Sequence, residues 1–367
     1  MFSHRARGKT YPAVLLALLL CVAGSPTIAS PTIAVAQISL TSPQPAQTTN
    51  DVQPALHLSF VRVFSSADDV RRTHPILDRT LDIIAGPADP VTHVDALQSP
   101  SAVATDSNHR VFVADPGAHT VHVFDFVQSK YDHLDPHGDR LHNPISLSVD
   151  AQDNLYVVDQ NSRTVLVYDA AGKFRHPLGK LGGGESYFDS PAAITVDKRT
   201  GRIYVSDRLR HMIFVMDPRG KLIRKLGNRG GGERPGEFRF PGQVVVAGSE
   251  LFVLDSGNAR IQVLDTAGHF LRAMSLDDAD PRTGLAVDHD GNVYISDPDL
   301  NQIQVFRHDG QMLYKLDLGK FLSVKDTNFS RPSALWIDAD DCLYVVDSLT
   351  NRVGVFQIKR DQDKAPQ

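Results

Sequence analysis

Six aspartates close six short apolar segments: VFVAD at Asp115, LYVVD at Asp159, IYVSD at Asp207, LFVLD at Asp255, VYISD at Asp297 and LYVVD at Asp347. Four are followed four or five residues later by a cation, Arg163, His211, Arg260 and Arg352; the first has His119 there, and the fifth only Asn301 and Gln302. A carboxylate ending one strand can form a charge-assisted pair with a base on the next and so pin the intervening loop. That structural role is the expectation for all six. The glycine runs at 179–186 and 227–238 resemble phosphate cradles in composition, but neither has the Gly-Lys-Ser/Thr ending or a following helix, so they read as loops. Cys342 lies in an apolar strand pattern (CLYVV), where an inert buried thiol is expected rather than a nucleophile.

The elements that carry these residues repeat with them. Successive aspartates are 44, 48, 48, 42 and 50 residues apart, near the period of a four-stranded propeller blade. Upstream of each stands a small-apolar strand opened by Pro100, Pro144, Pro191, Pro241 or Pro332, with Arg282 replacing the proline in copy five. Six residues downstream a β-branched residue (Val121, Val165, Ile213, Ile261, Ile303, Val353) opens a third strand, and a glycine-containing turn leads to a fourth. The alternation has period two, and no stretch keeps a 3.6 period over a helical length. The chain is therefore expected to be all-β: a six-bladed β-propeller of four-stranded antiparallel blades, with Phe112, Tyr156, Tyr204, Phe252, Tyr294 and Tyr344 packed between blades. Trp336, in a first strand, is assigned to the core.

The sixth copy ends near Ile358 without a fourth strand, so an N-terminal strand must close the last blade. Two segments qualify. TLDIIAG at 80–86 ends on an apolar residue and glycine like the fourth strands KLG (225–227) and PLG (177–179), so 80–85 is expected to complete the ring; SFVRVF at 59–64 is expected outside or beside it.

Arg5, Arg7 and Lys9 precede an apolar run, 13–23, of about half the length a membrane-spanning helix needs, which is a signal peptide pattern. Cleavage is expected after Ala36, removing Cys21; Leu20 before that cysteine argues against acylation. Residues 37–56 then form a flexible leader, 57–358 the propeller and 359–367 a charged tail. Hydrophobic residues make up 41% of the chain and charged ones 22%, proportions of a folded globular protein, and the two cysteines exclude a disulfide scaffold. The net charge of -5 becomes -8 once three basic leader residues are gone, leaving 35 basic against 43 acidic side chains. Such a field disfavours nucleic acid. Asn328-Phe329-Ser330 matches a glycosylation sequon that a bacterial-type signal gives no reason to expect used.

The combination of P-x-small-apolar-D, G-N-x-Y-V-x-D and N-x-R-I-x-V-F resembles the NHL-repeat family of six-bladed propellers over about residues 80–358. Asp288-HDGN-VYISD, Asp255-SGNARIQVL, Asp347-SLTNRVGVF and GERPGEFRFP ending at Pro241 carry the resemblance. It implies the fold strongly and an activity weakly, because the family includes ligand and protein binders, RNA-binding propellers and a few enzymes. The related peptidyl-hydroxyglycine amidating lyases imply zinc held by histidines, and Asp115-PGA-His119 is similar to one of their ligand segments. Zinc needs three converging protein ligands, and only His119 and His211 stand at matching places, with His142 a further contributor. Gluconolactonase-like propellers imply carboxylates and amides around a cation at the channel mouth, where this sequence offers only Gln243.

Blade geometry places the inter-blade loops on one face with the turns after the aspartates, and that face gathers Lys180, Arg208, Arg210, Arg229, Arg234 and Arg239. A local basic cluster on an acidic protein suits an acidic partner. The expectation is a secreted or periplasmic, monomeric, non-catalytic binding module without a cofactor, which holds a protein or polysaccharide of the cell envelope or exterior on this face. No integral membrane segment remains after signal cleavage. A metal-dependent lyase or lactonase is the alternative.

Overall fold

Short runs of β-branched and aromatic residues separated by Gly, Asn and Asp turns leave each copy no option but a small antiparallel sheet, which needs a neighbour on each face. The computed structural model describes residues 37–39, 56–71, 95–134, 140–179, 186–276, 283–318 and 329–360, all within the unit that begins at Ala36. They form six sheets in the expected order. Blade one comprises Ala102–Thr105, Val111–Asp115, Thr120–Asp125 and Lys130–His133; blade two Pro144–Val149, Leu155–Asp159, Thr164–Tyr168 and Phe174–Leu178. Blade three is Pro191–Val196, Ile203–Asp207, Met212–Met216 and Leu222–Gly227; blade four Pro241–Ala247, Glu250–Asp255, Arg260–Asp265 and Phe270–Ser275. Blade five is Leu285–Val287, Val293–Asp297, Gln302–Phe306 and Met312–Asp317.

Blade six contains Pro332–Ile337, Cys342–Asp347 and Arg352–Arg360, and its fourth strand is Leu56–Phe64. This corrects the expected closure by 80–85, a segment outside the described residues. The strand first assigned to the periphery pairs antiparallel along Arg352–Arg360 from Leu56 opposite Arg360 to Phe64 opposite Val353. Burial explains the choice. Leu58 and Phe64 are almost fully enclosed, and Phe64 meets Phe124 of blade one at 4.7 Å between ring centroids. Gln37–Ser39, in the expected leader, adds a short strand to the outer edge of Leu56–Phe64. The expected tail also begins too early, because the last strand runs to Arg360. There the Arg360 guanidinium meets Asp341 (Nη1, 2.8 Å), Asp290 (Nε, 2.5 Å) and the buried Asp288 (Nη2, 3.3 Å), tying blade six to blade five.

Six apolar clusters fill the wedges between adjacent blades, and all six second-strand aromatics are buried in them as expected. Trp336 is half-buried at the ring seam, where its Nε1 donates to Thr105 Oγ1 of blade one at 2.9 Å. The first strands line the central channel and are tied through hydroxyls: the Ile194, Val196 and Val246 amides donate to Ser146, Ser148 and Thr195.

Removing Leu56–Phe64 opens the edge of the last strand and returns Leu58 and Phe64 to water, a loss of about 4 kcal/mol or more. A chain starting at residue 80 is therefore expected to aggregate or to lack a cooperative urea transition. A transition matching that of a chain starting at Gln37 would restore 80–85 as the closing strand.

Candidate functional site

Antiparallel order puts the start of each first strand beside the end of the second, as where Pro144 faces Asp159 and Pro332 faces Asp347. One face of the ring thus carries the turns after the six aspartates together with the loops that enter each blade. The aspartates organise it. Asp159 accepts the His142 and Asn143 amides, both at 2.7 Å, and the Ser162 amide at 2.8 Å. Asp207 accepts from the amides of Asp189, Ser190 and Arg210, and Asp347 from those of Ser330, Arg331, Leu349 and Thr350. Asp115 takes the Gln98, Ser99 and Ala118 amides, and Asp255 the Arg239 amide at 2.6 Å. The amides come from the one or two residues before each blade-opening proline and from the following turn. Asp297 differs, accepting among the described residues only the Leu300 amide, at 2.9 Å.

The aspartates therefore pin loops as expected, but mainly through backbone N–H groups. Of the expected ion pairs, only Asp255–Arg260 forms among the described residues, at 2.8 Å. The reason is geometric. The residue five positions after the aspartate faces it across the ladder: Arg260 and Arg352, but Thr164 in blade two and Met212 in blade three. The residue four positions after it closes the turn in the left-handed conformation, with φ between 46° and 56° at His119, Arg163, His211, Ala259, Asn301 and Asn351. Arg163 and His211 thus belong to a different structural class from Arg260 and Arg352, which engages partners of its own.

That left-handed position links blades. His119 Nδ1 donates to the His142 carbonyl at 2.5 Å, His211 Nδ1 accepts the Phe240 amide at 3.0 Å, and Asn301 Nδ2 donates to the Phe329 carbonyl at 2.5 Å. Each grips the loop entering the next blade. His119 and His211 lie two blades apart, each with one ring nitrogen engaged in this way. Among the described residues no three His, Cys, Asp or Glu side chains gather as a metal cluster, so the residues do not fit the zinc site implied by the lyase resemblance. Cys342 is only half-buried; burial and the nearby Asp338, Asp340 and Asp341 push its thiol up to about 11, so little thiolate forms at neutral pH.

Two sets of residues were missed in the sequence. Three positions before each blade-opening proline stands a plug, Leu97, Leu141, Phe188, Phe238 or Phe329, each buried beneath the loop. Glycine makes room for it: a Cβ on Gly354 would come within 2.2 Å of the Phe329 ring, and one on Gly179 within 2.2 Å of Phe188. The spacing to proline was visible, but it recurs in five copies without any polar signature. The second set faces the aspartates from the third strand. Buried His122 places Nε2 3.3 Å from Asp115 and Nδ1 2.7 Å from the Tyr131 hydroxyl, while Gln262 donates Nε2 to Asp255 at 3.0 Å.

The central channel encloses about 310 Å³, lined by first-strand residues including Ser146, Ser148, Thr195, Gln243 and Trp336. Gln243 therefore reaches the channel, as expected. The one carboxylate among its described lining residues is Asp197, at the opposite end, where it accepts the Arg199 amide and the Thr200 hydroxyl.

The expected basic face is electrostatically uneven. Arg210 forms a two-point pair with Asp189 at 2.9 and 3.1 Å, holding that carboxyl below its usual range, and Arg239 approaches Glu233 at 3.7 Å. Arg208 has a partner, whereas Arg229 and Arg234 are exposed without a side-chain partner among the described residues. Lys180 lies outside the described residues. Leucines accompany them. Leu209, Leu300 and Leu349 project from the turns of blades three, five and six with 61 to 64% of their surface exposed, and Phe240 is also exposed beside His211.

The sequence matches the family described as 6-bladed beta-propeller at residues 101–208 and 195–299, more than half of the chain. This chain belongs to that family. Among solved structures, the propeller is similar to a streptogramin B lyase (13% identity, TM-score 0.52), with 71% of this chain and 94% of that protein covered. It is also similar to a gluconolactonase from Xanthomonas campestris (18%, 0.54), covering 87% of this chain and 100% of the other. A Bacteroides thetaiotaomicron protein of unknown function is similar too (15%, 0.56; 84% and 77% covered). At these identities the likeness is one of fold. The search of curated proteins returned no match.

Asp207→Ala would leave three part-buried amides without an acceptor, and the propeller should lose about 3 kcal/mol or more in urea unfolding. A loss below about 1 kcal/mol would remove the carboxylate from its pinning role. Asp115 predicts a pH effect. Burial would raise its pKa, but the His122 imidazole 3.3 Å away and the Gln98 and Ala118 amides outweigh burial and hold it below 3.8. A carboxyl lowered by folding contributes stability that is complete above its unfolded pKa of about 4 and lost as pH falls through the lower folded value. Asp115→Asn should therefore flatten the acid limb below about pH 4 when urea midpoints are measured from neutrality downward. An unchanged limb contradicts that linkage.

Proposed function

We propose that this chain is an exported, NHL-type propeller that works without catalysis and holds a protein partner on the face organised by the six aspartates. The observation that carries the reading is the recurrence of exposed Leu209, Leu300 and Leu349 at corresponding turns, with Phe240, Arg229 and Arg234 on the same face. Aliphatic anchors beside arginines on a rigid support match the composition of protein interfaces. The turns are fixed from below, so little ordering cost opposes docking. A polysaccharide would favour a flat aromatic platform, and the leucines favour protein.

Export is inferred from the basic-then-apolar N-terminus with a small-residue site at Ala34-Val35-Ala36. Among the described residues no helix is long and apolar enough to cross a membrane. The NHL assignment is supported by the recurring motifs, including Asp288-HDGN-VYISD and Asp347-SLTNRVGVF. An extracellular or periplasmic protein of the envelope is the partner class these features suit.

The test is capture from envelope extract on immobilised mature protein, compared with a variant carrying Leu209→Asp, Leu349→Asp, Arg229→Glu and Arg234→Glu. These side chains are exposed, so the variant should melt within a few degrees of the parent. Capture of a defined protein should fall at least about tenfold. Equal capture by the variant would refute this face, and capture that survives protease treatment of the extract but not glycan cleavage would replace protein with polysaccharide.

A further inference from the structure

Blade five departs from blade four on the aspartate face at two corresponding positions. In blade four, Arg260 Nε donates to Asp255 at 2.8 Å, and its Nη atoms reach the Glu233, Arg234 and Glu237 carbonyls. Gln262 completes that site, donating to Asp255 and Glu237 and accepting the Gly236 amide. In blade five the ladder puts Gln302 opposite Asp297, where arginine stands opposite Asp255, and Gln304 occupies the position of Gln262. Gln304 is only 9% exposed, yet its amide has no side-chain partner among the described residues. Residues 277–282 lie outside the described residues and form no part of the site.

A cavity of about 260 Å³ opens at this place. Asp297 and Gln304 line it with Thr283 and Asp299, and Leu276 and Ile295 supply apolar wall. Asp299 lies 3.8 Å from Arg331, and Lys315 at the exposed rim has a partner of its own. The carboxylate of Asp297 thus faces a space that, beside its blade-four counterpart, holds a guanidinium.

We propose that this cavity binds a guanidinium or alkylammonium group, with Asp297 as counter-ion and Gln304 as hydrogen-bond acceptor. A planar cation pairs with the carboxylate in the manner of Arg260, and its alkyl stem lies along Leu276 and Ile295. The group belongs either to a small free amine or to an arginine or lysine of a bound peptide. The site shares Leu300 with the leucine rim proposed above, but its variants leave Leu209, Leu349, Arg229 and Arg234 in place, so the two readings fail separately.

Butylguanidinium is the first probe, with neutral pentanamide as control, and binding is followed by calorimetry and by NMR of the Gln304 side-chain amide. The parent should bind the cation saturably and the control not at all. Asp297→Asn keeps the shape and the Leu300 contact and should weaken binding at least about tenfold, or 1.4 kcal/mol. Gln302→Arg should supply the blade-four arginine in cis, abolish binding and raise the melting temperature. Undiminished binding in either variant, or none up to about 50 mM, would overturn the assignment. A Gly-Gly-Arg-Gly-Gly peptide that binds more tightly than butylguanidinium supports a partner side chain, and weaker peptide binding supports a free amine.

Discussion

A buried carboxylate that collects backbone amides is the constraint on which this propeller's functional face depends. Each blade must be entered by a chain that comes from the outer strand of the previous blade and turns down into the channel wall. Its last amides before the proline have no ladder partner. In five blades the aspartate ending the second strand lies against that entry and accepts them, so one charged group resolves an otherwise unpaired backbone. The left-handed residue four positions on then reaches to the next loop, as His119, His211 and Asn301 do. The face becomes a connected belt of loops, and a substitution at one turn acts on two blades.

Ring closure relies on different forces. A seam between chain ends has no covalent continuity, and here a nine-residue N-terminal strand supplies a ladder, buried Leu58 and Phe64 supply apolar contact, and Trp336 bonds across to Thr105. Arg360 adds an electrostatic clasp among Asp288, Asp290 and Asp341; the desolvation of its guanidinium is outweighed by these carboxylates, which raise its pKa. Stability of the ring is thus concentrated where the sequence separation is greatest, which places a large loop-closure cost on folding.

Local environment also separates residues that net charge treats alike. Arg210 and Arg239 stand beside Asp189 and Glu233, whereas Arg229 and Arg234 face solvent. Asp255 has an arginine and a glutamine; Asp297, at the same blade position, has a cavity lined by Gln304, whose amide has no side-chain partner among the described residues. A repeat protein gains stability from sameness and function from departures, because an unfilled position in one blade is tolerated when five others carry the ring.

The sequence by itself determined the six-bladed all-β architecture, the strand order within blades and the burial of the second-strand aromatics, because period-two patterning and a repeated unit are local properties that the chain displays directly. It also located the six aspartates, five of which pin an entry loop, though it assigned their partners to side chains, since backbone amides leave no mark in a sequence. The plugs were legible only as a spacing to proline. What the tertiary structure alone decided was the closing strand, the division of Arg163 and His211 from Arg260 and Arg352, the neutralised half of the basic face and the cavity at Gln304. Each depends on which groups meet across tens to hundreds of residues or on a one-residue difference in register. Such contacts are fixed by burial and by backbone geometry in three dimensions, and residue type and spacing do not encode them.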